Sequence, residues 1–153
     1  MSQTGILLLL AALAAHGQQE KAVQAERNCM TQALYYEARG EGERGQEAVA
    51  EVILHRTKSG SHPNTVCGVV REPHQFSFLT DGSMLRKVDQ EAWDASYDLA
   101  VRILSGKLVT SLTKRATHYH TVAVSPSWSK TLVRTAKIGN HLFYSEPSQK
   151  TKA

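Results

Sequence analysis

A single glutamate, Glu37, directly follows two tyrosines in the string LYYEARGEGERGQEAVAEVILHR, which runs from Leu34 to Arg56. Burial among aromatic neighbours disfavours the ionised form of a carboxyl group and so raises its pKa. A glutamate that stays protonated near neutral pH can act as a general acid. An isolated glutamate is more often a solvated helix residue, so the chemical interpretation depends on the elements around it.

The residues before Glu37 predict a short helix from Cys29 to about Arg39, with Asn28 as its N-cap and Gly40 as its stop. Three- and four-residue spacing places four side chains along one side of this helix: Met30, Ala33, Leu34 and Glu37. Glu37 therefore shares a face with core residues, which favours its partial burial. The residues between 16 and 27 are polar and are interpreted as a linker or a leading helical turn.

Two further helices and several short strands are predicted. One helix runs from Gln46 to about Arg56 and is apolar on most sides, and a clearly amphipathic helix starts at Asp89 and ends at Gly106. Alternating or aromatic-rich strings predict strands over residues 75–82, 116–124 and 138–144. The expected fold class is α+β, with a helical core and a small, irregular β element.

Length and composition indicate one globular domain with its own core. The chain has 153 residues, of which 41% are hydrophobic and 21% charged. Its net charge of +4 suits an acidic partner such as nucleic acid, an anionic lipid surface or the anionic bacterial cell wall. The basic residues are scattered and form no dense run, so we do not expect a nucleic-acid partner.

The N-terminal segment has the composition of an export element. The first nineteen residues contain no Asp, Glu, Lys or Arg, and residues 5–15 form the apolar run GILLLLAALAA. This run is shorter than the roughly 20 residues that an ordinary transmembrane helix needs. It resembles the apolar region of a secretory signal, with cleavage after Gly17 or Ala25, but it lacks a positively charged start. A releasable membrane anchor and a buried N-terminal helix are the alternatives.

Cys29 and Cys67 are the two cysteines of the chain. In an exported protein such a pair favours one disulfide, which would stabilise the fold by about 3–4 kcal/mol in the chain-entropy model. The alternative is a pair of buried free thiols.

Other kinds of catalytic site have little support. A zinc site could draw on His118 and His120, with His74, His141 or Cys67, but the sequence has no HExxH motif and no paired CxxC. We therefore predict no metal and no cofactor. The sequence also lacks the G-x-S-x-G string of a serine nucleophile and a glycine loop after a strand that would hold phosphate.

A groove suited to sugars is better supported, because aromatic side chains offer flat surfaces and polar ones offer hydrogen bonds. The expected groove residues lie in polar-aromatic strings: Tyr36, Gln75, Phe76, Ser77, Tyr119, His120 and Trp128. Phe78 and Tyr144 are expected to pack rather than bind.

The ordered strings YYEARGE, GQEAVAEVILHR, HPNTVCGVV, QFSF, ATHYH, PSW and IGNHLFY resemble the SleB/CwlJ-type cell-wall hydrolases. The resemblance runs from about Cys29 to Tyr144 and implies a lysozyme-like α+β domain that acts on peptidoglycan. The catalytic glutamate of the family lies in its EARGE motif, which matches Glu37. His55 replaces a usual Asn, and Arg115 a usual Gly, so the shape of the cleft can differ. The expected organisation is an export or anchor segment (1–25), a catalytic domain (26–146) and a polar tail (147–153).

The resemblance also implies how one carboxyl group can suffice. In a lytic transglycosylase the C6 hydroxyl of the muramic residue attacks intramolecularly and leaves a 1,6-anhydro sugar. A water-using muramidase would need a second carboxylate, for which Glu41, Glu43 and Asp81 are candidates. A non-catalytic wall-binding protein and a zinc amidase or peptidase are two further interpretations. We expect an exported monomer in the periplasm or cell envelope, as either a phage endolysin or a bacterial wall-remodelling enzyme.

Overall fold

The computed structural model describes residues 2–147. Within this range the helices are α1 (Gln3–Ala38), α2 (Gly42–Thr57), α3 (Val66–Val70) and α4 (Gln90–Leu104), and the strands are β1 (His118–Thr121), β2 (Val133–Ile138) and β3 (His141–Ser145). Single 3-10 turns cover Arg39–Glu41, Ser77–Leu79, Ser83–Leu85 and Ser127–Lys130. The predicted α+β class, with a helical core and a small sheet, is confirmed. Of the predicted polar tail, residues 148–153 lie outside the described range.

Helix α1 starts much earlier than predicted. Ser2 is its N-cap and accepts a hydrogen bond from the amide of Gly5, so the prediction of Asn28 as the cap is wrong. Residues 18–27 contain good helix formers and no proline, and nothing in them stops the helix. Asn28 instead accepts a hydrogen bond from Gln24 on the helix surface, at 2.9 Å. None of the helices between residues 2 and 147 combines the length and the hydrophobicity that a membrane span requires.

The C-terminal part of α1 forms the centre of the helical core. Its buried residues include Met30, Ala33 and Leu34, which pack with Val49 and Ile53 of α2. Helices α3 and α4 complete this core, with contributions such as Val69, Val70, Leu99 and Ala100. Asp89 caps α4 by accepting a hydrogen bond from the amide of Ala92, as its position in the sequence predicts.

Glu41 fixes the turn between α1 and α2 to the turn between β2 and β3. Its carboxylate accepts hydrogen bonds from the backbone amide (2.8 Å) and the side-chain amide (3.1 Å) of Asn140. A Cβ atom at Gly45 or at Gly139 would collide with the Glu41 side chain. Gly139 also has a φ of 55°, a conformation that favours glycine. These two glycines therefore allow the helical core and the sheet to meet.

The sheet is antiparallel, with strand order β1-β3-β2. Tyr119 of β1 pairs with Phe143 of β3. The predicted strand over residues 75–82 is wrong, because this segment contains a 3-10 turn, Ser77–Leu79, in which Phe78 is buried and Ser77 is exposed. The predicted strand over 116–124 shortens to four residues, and that over 138–144 is a hairpin with its turn at Gly139 and Asn140.

The predicted disulfide is present and joins Cys29 of α1 to Cys67 of α3, 38 residues apart. A carboxylate reinforces this junction. Glu26 of α1 accepts hydrogen bonds from the amides of Val66 (2.6 Å) and Cys67 (3.1 Å), at the start of α3. Free amides at a helix start favour such an anionic partner. Helix α3 is thus fastened to α1 by a covalent bond and by a carboxylate.

Candidate functional site

A cleft of about 890 Å³ lies between the sheet and the segment that follows α3. Its lining is polar and aromatic, and Glu37 and Arg56 enter it from α1 and α2. Residues 71–77 and Leu79 and Thr80 form one wall, while His118, Tyr119, His120 and Trp128 belong to the opposite wall.

Glu37 lies in the last turn of α1 and is half-buried. Its Oε2 atom accepts a hydrogen bond from the Tyr119 hydroxyl at 3.1 Å. Burial raises the pKa of the Glu37 carboxyl, and nearby Asp81 adds to this effect. The Tyr119 hydroxyl and Arg56 act in the opposite direction. The result is a carboxyl group whose protonated form persists to higher pH than that of a solvated glutamate.

Tyr119 reaches Glu37 because β1 is fixed to α2 at its start. His55 Nδ1 donates to the carbonyl of Ala116 at 3.0 Å, and Arg56 Nε donates to the carbonyl of Thr117 at 2.7 Å. Burial and the Glu37 carboxyl raise the pKa of the Tyr119 phenol well above its usual value. Tyr119 therefore stays protonated and acts as a hydrogen-bond donor to Glu37.

A second buried carboxylate, Glu51, organises the segment that leads into β1. It accepts hydrogen bonds from the hydroxyl of Thr110, the amide of Leu112 (2.6 Å) and both the amide (2.8 Å) and the hydroxyl (2.6 Å) of Thr113. Although burial raises the pKa of Glu51, these bonds outweigh it and the pKa is lowered. Glu51 is therefore a structural anion, unlike Glu37.

Six of the seven predicted groove residues line the cleft: Gln75, Phe76, Ser77, Tyr119, His120 and Trp128. Phe76 is only 3% exposed and forms part of the floor, whereas Gln75 and Ser77 are exposed on the rim. Tyr36 is the exception. It stacks on Phe78, with ring centres 5.0 Å apart, and does not line this cleft.

An aromatic cluster forms one side of the cleft around Trp128. The Trp128 ring lies 5.1 Å from that of His118 and 5.5 Å from that of His120. His120 stacks on Tyr144 and is hydrogen bonded to its hydroxyl at 3.0 Å. Tyr144 is buried, as predicted for a packing residue, and it supports His120 and Trp128 from behind.

Sequence reasoning missed two buried charged residues of α2: Arg56, which lines the cleft with Glu37, and Glu51, which binds residues 110–113. Both are about 5% exposed. The sequence contained a signal for both residues, because Glu51 interrupts the apolar string AVAEVILHR and Arg56 ends it. A charged residue in such a string is expected to have a partner, since charged residues are rarely fully buried without one. Glu72 of the cleft wall was also missed. It accepts a hydrogen bond from His62 Nδ1 at 2.8 Å.

The three carboxylates considered as partners for Glu37 are engaged elsewhere. Glu41 binds Asn140, and Glu43 forms an exposed ion pair with Arg102 at 3.0 Å. Asp81 is exposed and accepts a hydrogen bond from the amide of Ser83 at 2.8 Å. None of the three lines the cleft.

The helical core, the small antiparallel sheet and a cleft with one half-buried carboxyl define a lysozyme-like α+β protein. The family model for cell wall hydrolases matches residues 40–144. The spore cortex-lytic enzymes of Bacillus cereus and Bacillus subtilis are 37% and 35% identical to the chain over 121 and 117 residues. These matches cover 78% and 74% of the chain, but only 44% and 35% of those relatives. The chain belongs to the cell wall hydrolase family and spans less than half the length of these relatives.

Solved structures give the same result for the fold. The catalytic domain of the Bacillus cereus SleB protein superposes with a TM-score of 0.63 at 35% identity, over 80% of this chain and 91% of that one. The catalytic domain of the germination-specific lytic transglycosylase SleB from Bacillus anthracis gives a TM-score of 0.64 at 36% identity, over 80% and 95%. The predicted family and the lysozyme-like fold are thus confirmed.

Proposed function

We propose that this chain cleaves the glycan strand of peptidoglycan between N-acetylmuramic acid and N-acetylglucosamine, with Glu37 as the general acid. The observation that carries the proposal is the half-buried Glu37 carboxyl, hydrogen bonded to Tyr119 in the cleft. Its raised pKa keeps a proton available for the glycosidic oxygen, as this chemistry requires. The spore cortex-lytic names of the relatives support peptidoglycan as the substrate.

We favour a lytic transglycosylase over a water-using muramidase. Protonated Glu37 donates its proton as the glycosidic C1–O bond breaks. The ionised Glu37 then accepts the proton of the muramic C6 hydroxyl as the O6–C1 bond forms. In the described part of the chain, Glu72 is the one other carboxylate lining the cleft, and it is engaged by His62. The Bacillus anthracis relative is named a lytic transglycosylase, which supports the same route.

The cleft can hold a glycan strand without a separate binding module. Trp128 and His120 provide flat surfaces on one side, and Gln75 and Ser77 provide hydrogen-bonding groups on the other. The net charge of +4 favours approach to an anionic wall. We propose that the protein acts as a monomer and needs no metal or cofactor.

The direct test replaces Glu37 by Gln, which retains the size of the side chain but cannot donate the proton. Clearing of a peptidoglycan suspension should fall by at least about 100-fold, since general acid catalysis contributes roughly 10²–10⁴-fold. Glu43→Gln is the matched control, because Glu43 lies outside the cleft and its loss should leave clearing unchanged. Near-normal clearing by a folded Glu37→Gln protein would refute the proposal.

Mass spectrometry of the soluble fragments distinguishes the two catalytic routes. Muropeptides that end in 1,6-anhydro-muramic acid indicate transglycosylation, whereas reducing ends indicate hydrolysis by water. Binding to intact wall without soluble fragments would instead indicate a non-catalytic wall-binding protein.

We further propose that the N-terminal part of α1 serves for export or membrane association. Its leucines are solvent-exposed, with Leu8 at 73% and Leu10 at 57%, and no charged residue precedes Glu20. Replacing both Leu8 and Leu10 by Asp should abolish co-sedimentation of the full chain with phosphatidylglycerol vesicles. Leu85→Asp is the control, because Leu85 is 91% exposed in a distant turn. Equal sedimentation of the wild type, the double variant and Leu85→Asp would contradict this assignment.

A further inference from the structure

Arg56 is a buried cation at the edge of the cleft. It is 5% exposed, and its Nε atom donates to the Thr117 carbonyl at 2.7 Å. The guanidinium carbon lies 5.9 Å from the centre of the Phe76 ring. The Nη1 atom is buried and has no hydrogen-bond partner among residues 2–147. A buried guanidinium with an unused donor is costly unless negative charge is available nearby.

Several groups face this cation, and they differ in the charge they can supply. Glu72 faces it from the segment after α3, but His62 already engages that carboxylate. Tyr119 of β1 is neutral at ordinary pH. His118, also on β1, has a lowered pKa because of burial and of Arg56, so it is neutral as well. Glu37 is the remaining acidic group, and within the described residues it forms no ion pair.

We propose that Arg56 is a positioning residue that lets Glu37 work in both directions, as acid and then as base. The buried guanidinium is held by its Nε bond while its Nη1 donor remains unused, so its charge is already in place when Glu37 becomes a carboxylate. This favours donation of the proton by Glu37, while burial keeps the resulting carboxylate basic enough to accept the proton of the C6 hydroxyl. The inference rests on the proposed transglycosylase chemistry and deepens it.

The opposing influences on Glu37 agree with this role. Burial and Asp81 raise the pKa of the Glu37 carboxyl, whereas Tyr119 and Arg56 lower it. Burial alone would give a carboxylate that accepts a proton readily, but a carboxyl group that donates its own proton poorly, because the carboxylate left after donation would be too unstable. Asp81 is exposed, so its influence is weakened by solvent and salt. Tyr119 and Arg56 are the two groups that favour the ionised form from within the cleft.

The test replaces Arg56 by Gln, with His55→Gln as the matched control. Residues 55 and 56 are adjacent on α2 and donate to the adjacent carbonyls of Ala116 and Thr117, but His55 does not line the cleft. Both variants should lose some stability. In Arg56→Gln alone, the pKa of Glu37, read from its ¹³C carboxyl resonance, should rise. The alkaline limb of the rate profile should then move to higher pH, and the plateau rate should fall about tenfold, within the range for proton-transfer catalysis.

Arg56→Lys retains a positive charge and should bring the alkaline limb back toward its wild-type position. An unchanged Glu37 pKa in folded Arg56→Gln protein would overturn the inference, as would an equal shift in His55→Gln. If Arg56→Gln does not fold, the wild-type chain provides the test. In the wild-type protein, the chemical shift of Arg56 Nε should change with pH at the same midpoint as Glu37, and in Glu37→Gln it should not change over this pH range. A chemical shift that does not change in either protein would also overturn the inference about Arg56.

These outcomes are separable from failure of the proposed function. The proposed function fails if Glu37→Gln retains activity, whatever Arg56 does. The inference about Arg56 fails if the two groups titrate independently, even when Glu37 is essential.

Discussion

At the scale of single residues, the site depends on the balance between Glu37 and Tyr119. Burial makes the Glu37 carboxyl reluctant to ionise, and the Tyr119 hydroxyl partly offsets this by donating to Oε2. The same hydrogen bond fixes the direction in which the carboxyl points. The strand that carries Tyr119 is held by the pairing of Tyr119 with Phe143 and by two hydrogen bonds from α2 to Ala116 and Thr117, just before the strand. The Glu37 carboxyl group is therefore both tuned and oriented by a group on another element.

Removing that hydroxyl should change the pH dependence in a defined direction. Tyr119→Phe loses a donor to the ionised form of Glu37, so the pKa of Glu37 should rise further above its usual value. Activity that needs protonated Glu37 is lost as the pH rises through this pKa, so the alkaline limb should move to higher pH. The rate at the optimum should fall about tenfold, because the carboxyl is also less well oriented.

Tyr144→Phe is the control for this prediction. It removes a hydroxyl from the same sheet, but that hydroxyl contacts His120 rather than Glu37. A shift of the alkaline limb in Tyr144→Phe equal to that in Tyr119→Phe would show that the effect is not specific to the Glu37 contact.

Sequence alone could predict the partial burial of Glu37 but not the groups that shift its pKa. Glu37 shares a helix face with Leu34 and follows two tyrosines, so its burial was predictable from local spacing. Tyr119 lies 82 positions and Arg56 lies 19 positions after Glu37 in the chain. Contacts between residues so far apart leave no periodic pattern in the sequence. Tyr36 is next to Glu37 in the sequence but does not share its site. Neighbouring residues of a helix point in different directions, and the Tyr36 ring stacks on Phe78 instead of lining the cleft.

At the scale of elements, the four hydrogen bonds from residues 110–113 to Glu51 position β1. Helix α2 is otherwise apolar on this side, with Ala48 and Val52 in contact with Ala116 and Phe143. A carboxylate that accepts several donors in a buried site can hold an irregular segment as firmly as a strand pairing would. This explains why β1 can be only four residues long and still hold Tyr119 within hydrogen-bonding distance of Glu37.

Glu51→Gln should destabilise the fold by about 2–4 kcal/mol, since the amide cannot accept the same donors and leaves one of them unpaired. The native pKa of Glu51 is lowered, so its contribution is fully present above the unfolded pKa of about 4.3 and is lost as pH falls through the native value. Urea unfolding should therefore give a large gap between wild type and variant at pH 7 that narrows toward pH 3.

Glu47→Gln on the same helix is the control, because burial and the neighbouring Glu43 raise the pKa of Glu47, so removing its charge should not lower stability at pH 7. A gap between wild type and Glu51→Gln that stays constant from pH 7 to pH 3 would contradict the role assigned to the Glu51 charge.

Helices and strands were predicted correctly where local sequence determines them. They were predicted wrongly where the outcome depends on a distant pairing partner or on the lack of a stop signal. The cap at Asp89 and the amphipathic stripe of α4 are local signals, and both are found in the structure. The segment over residues 75–82 alternates like a strand, but it pairs with none of the three strands of the described sheet and instead contains a 3-10 turn at Ser77–Leu79. In α1, the polar residues 16–27 are predicted to be a linker or a leading helical turn, and without proline or a strong stop the helix continues through all of them.

At the scale of the whole molecule, the cleft that contains Glu37 is built from segments fastened to each other by long-range contacts. Glu41 ties the α1–α2 turn to the β2–β3 hairpin, and Cys29 and Glu26 tie α1 to α3. The wall formed by residues 71–77 follows α3 directly, so the junction between α1 and α3 also sets the width of the cleft. Glu37 lies on the same helix as the two residues that anchor α3.

Reduction should therefore weaken both stability and activity. The Cys29–Cys67 bridge spans 38 residues, and the chain-entropy model gives a stabilisation of about 3–4 kcal/mol for such a loop. The double variant Cys29→Ala, Cys67→Ala should lower the free energy of unfolding by this amount in urea. Wild-type protein with dithiothreitol should unfold at a similarly lowered urea concentration, while the variant should not respond to the reductant.

Because Glu26 still holds the start of α3, the variant should retain the fold and measurable clearing of peptidoglycan at low temperature. An unchanged urea midpoint in reduced wild-type protein would mean that the carboxylate alone secures this junction.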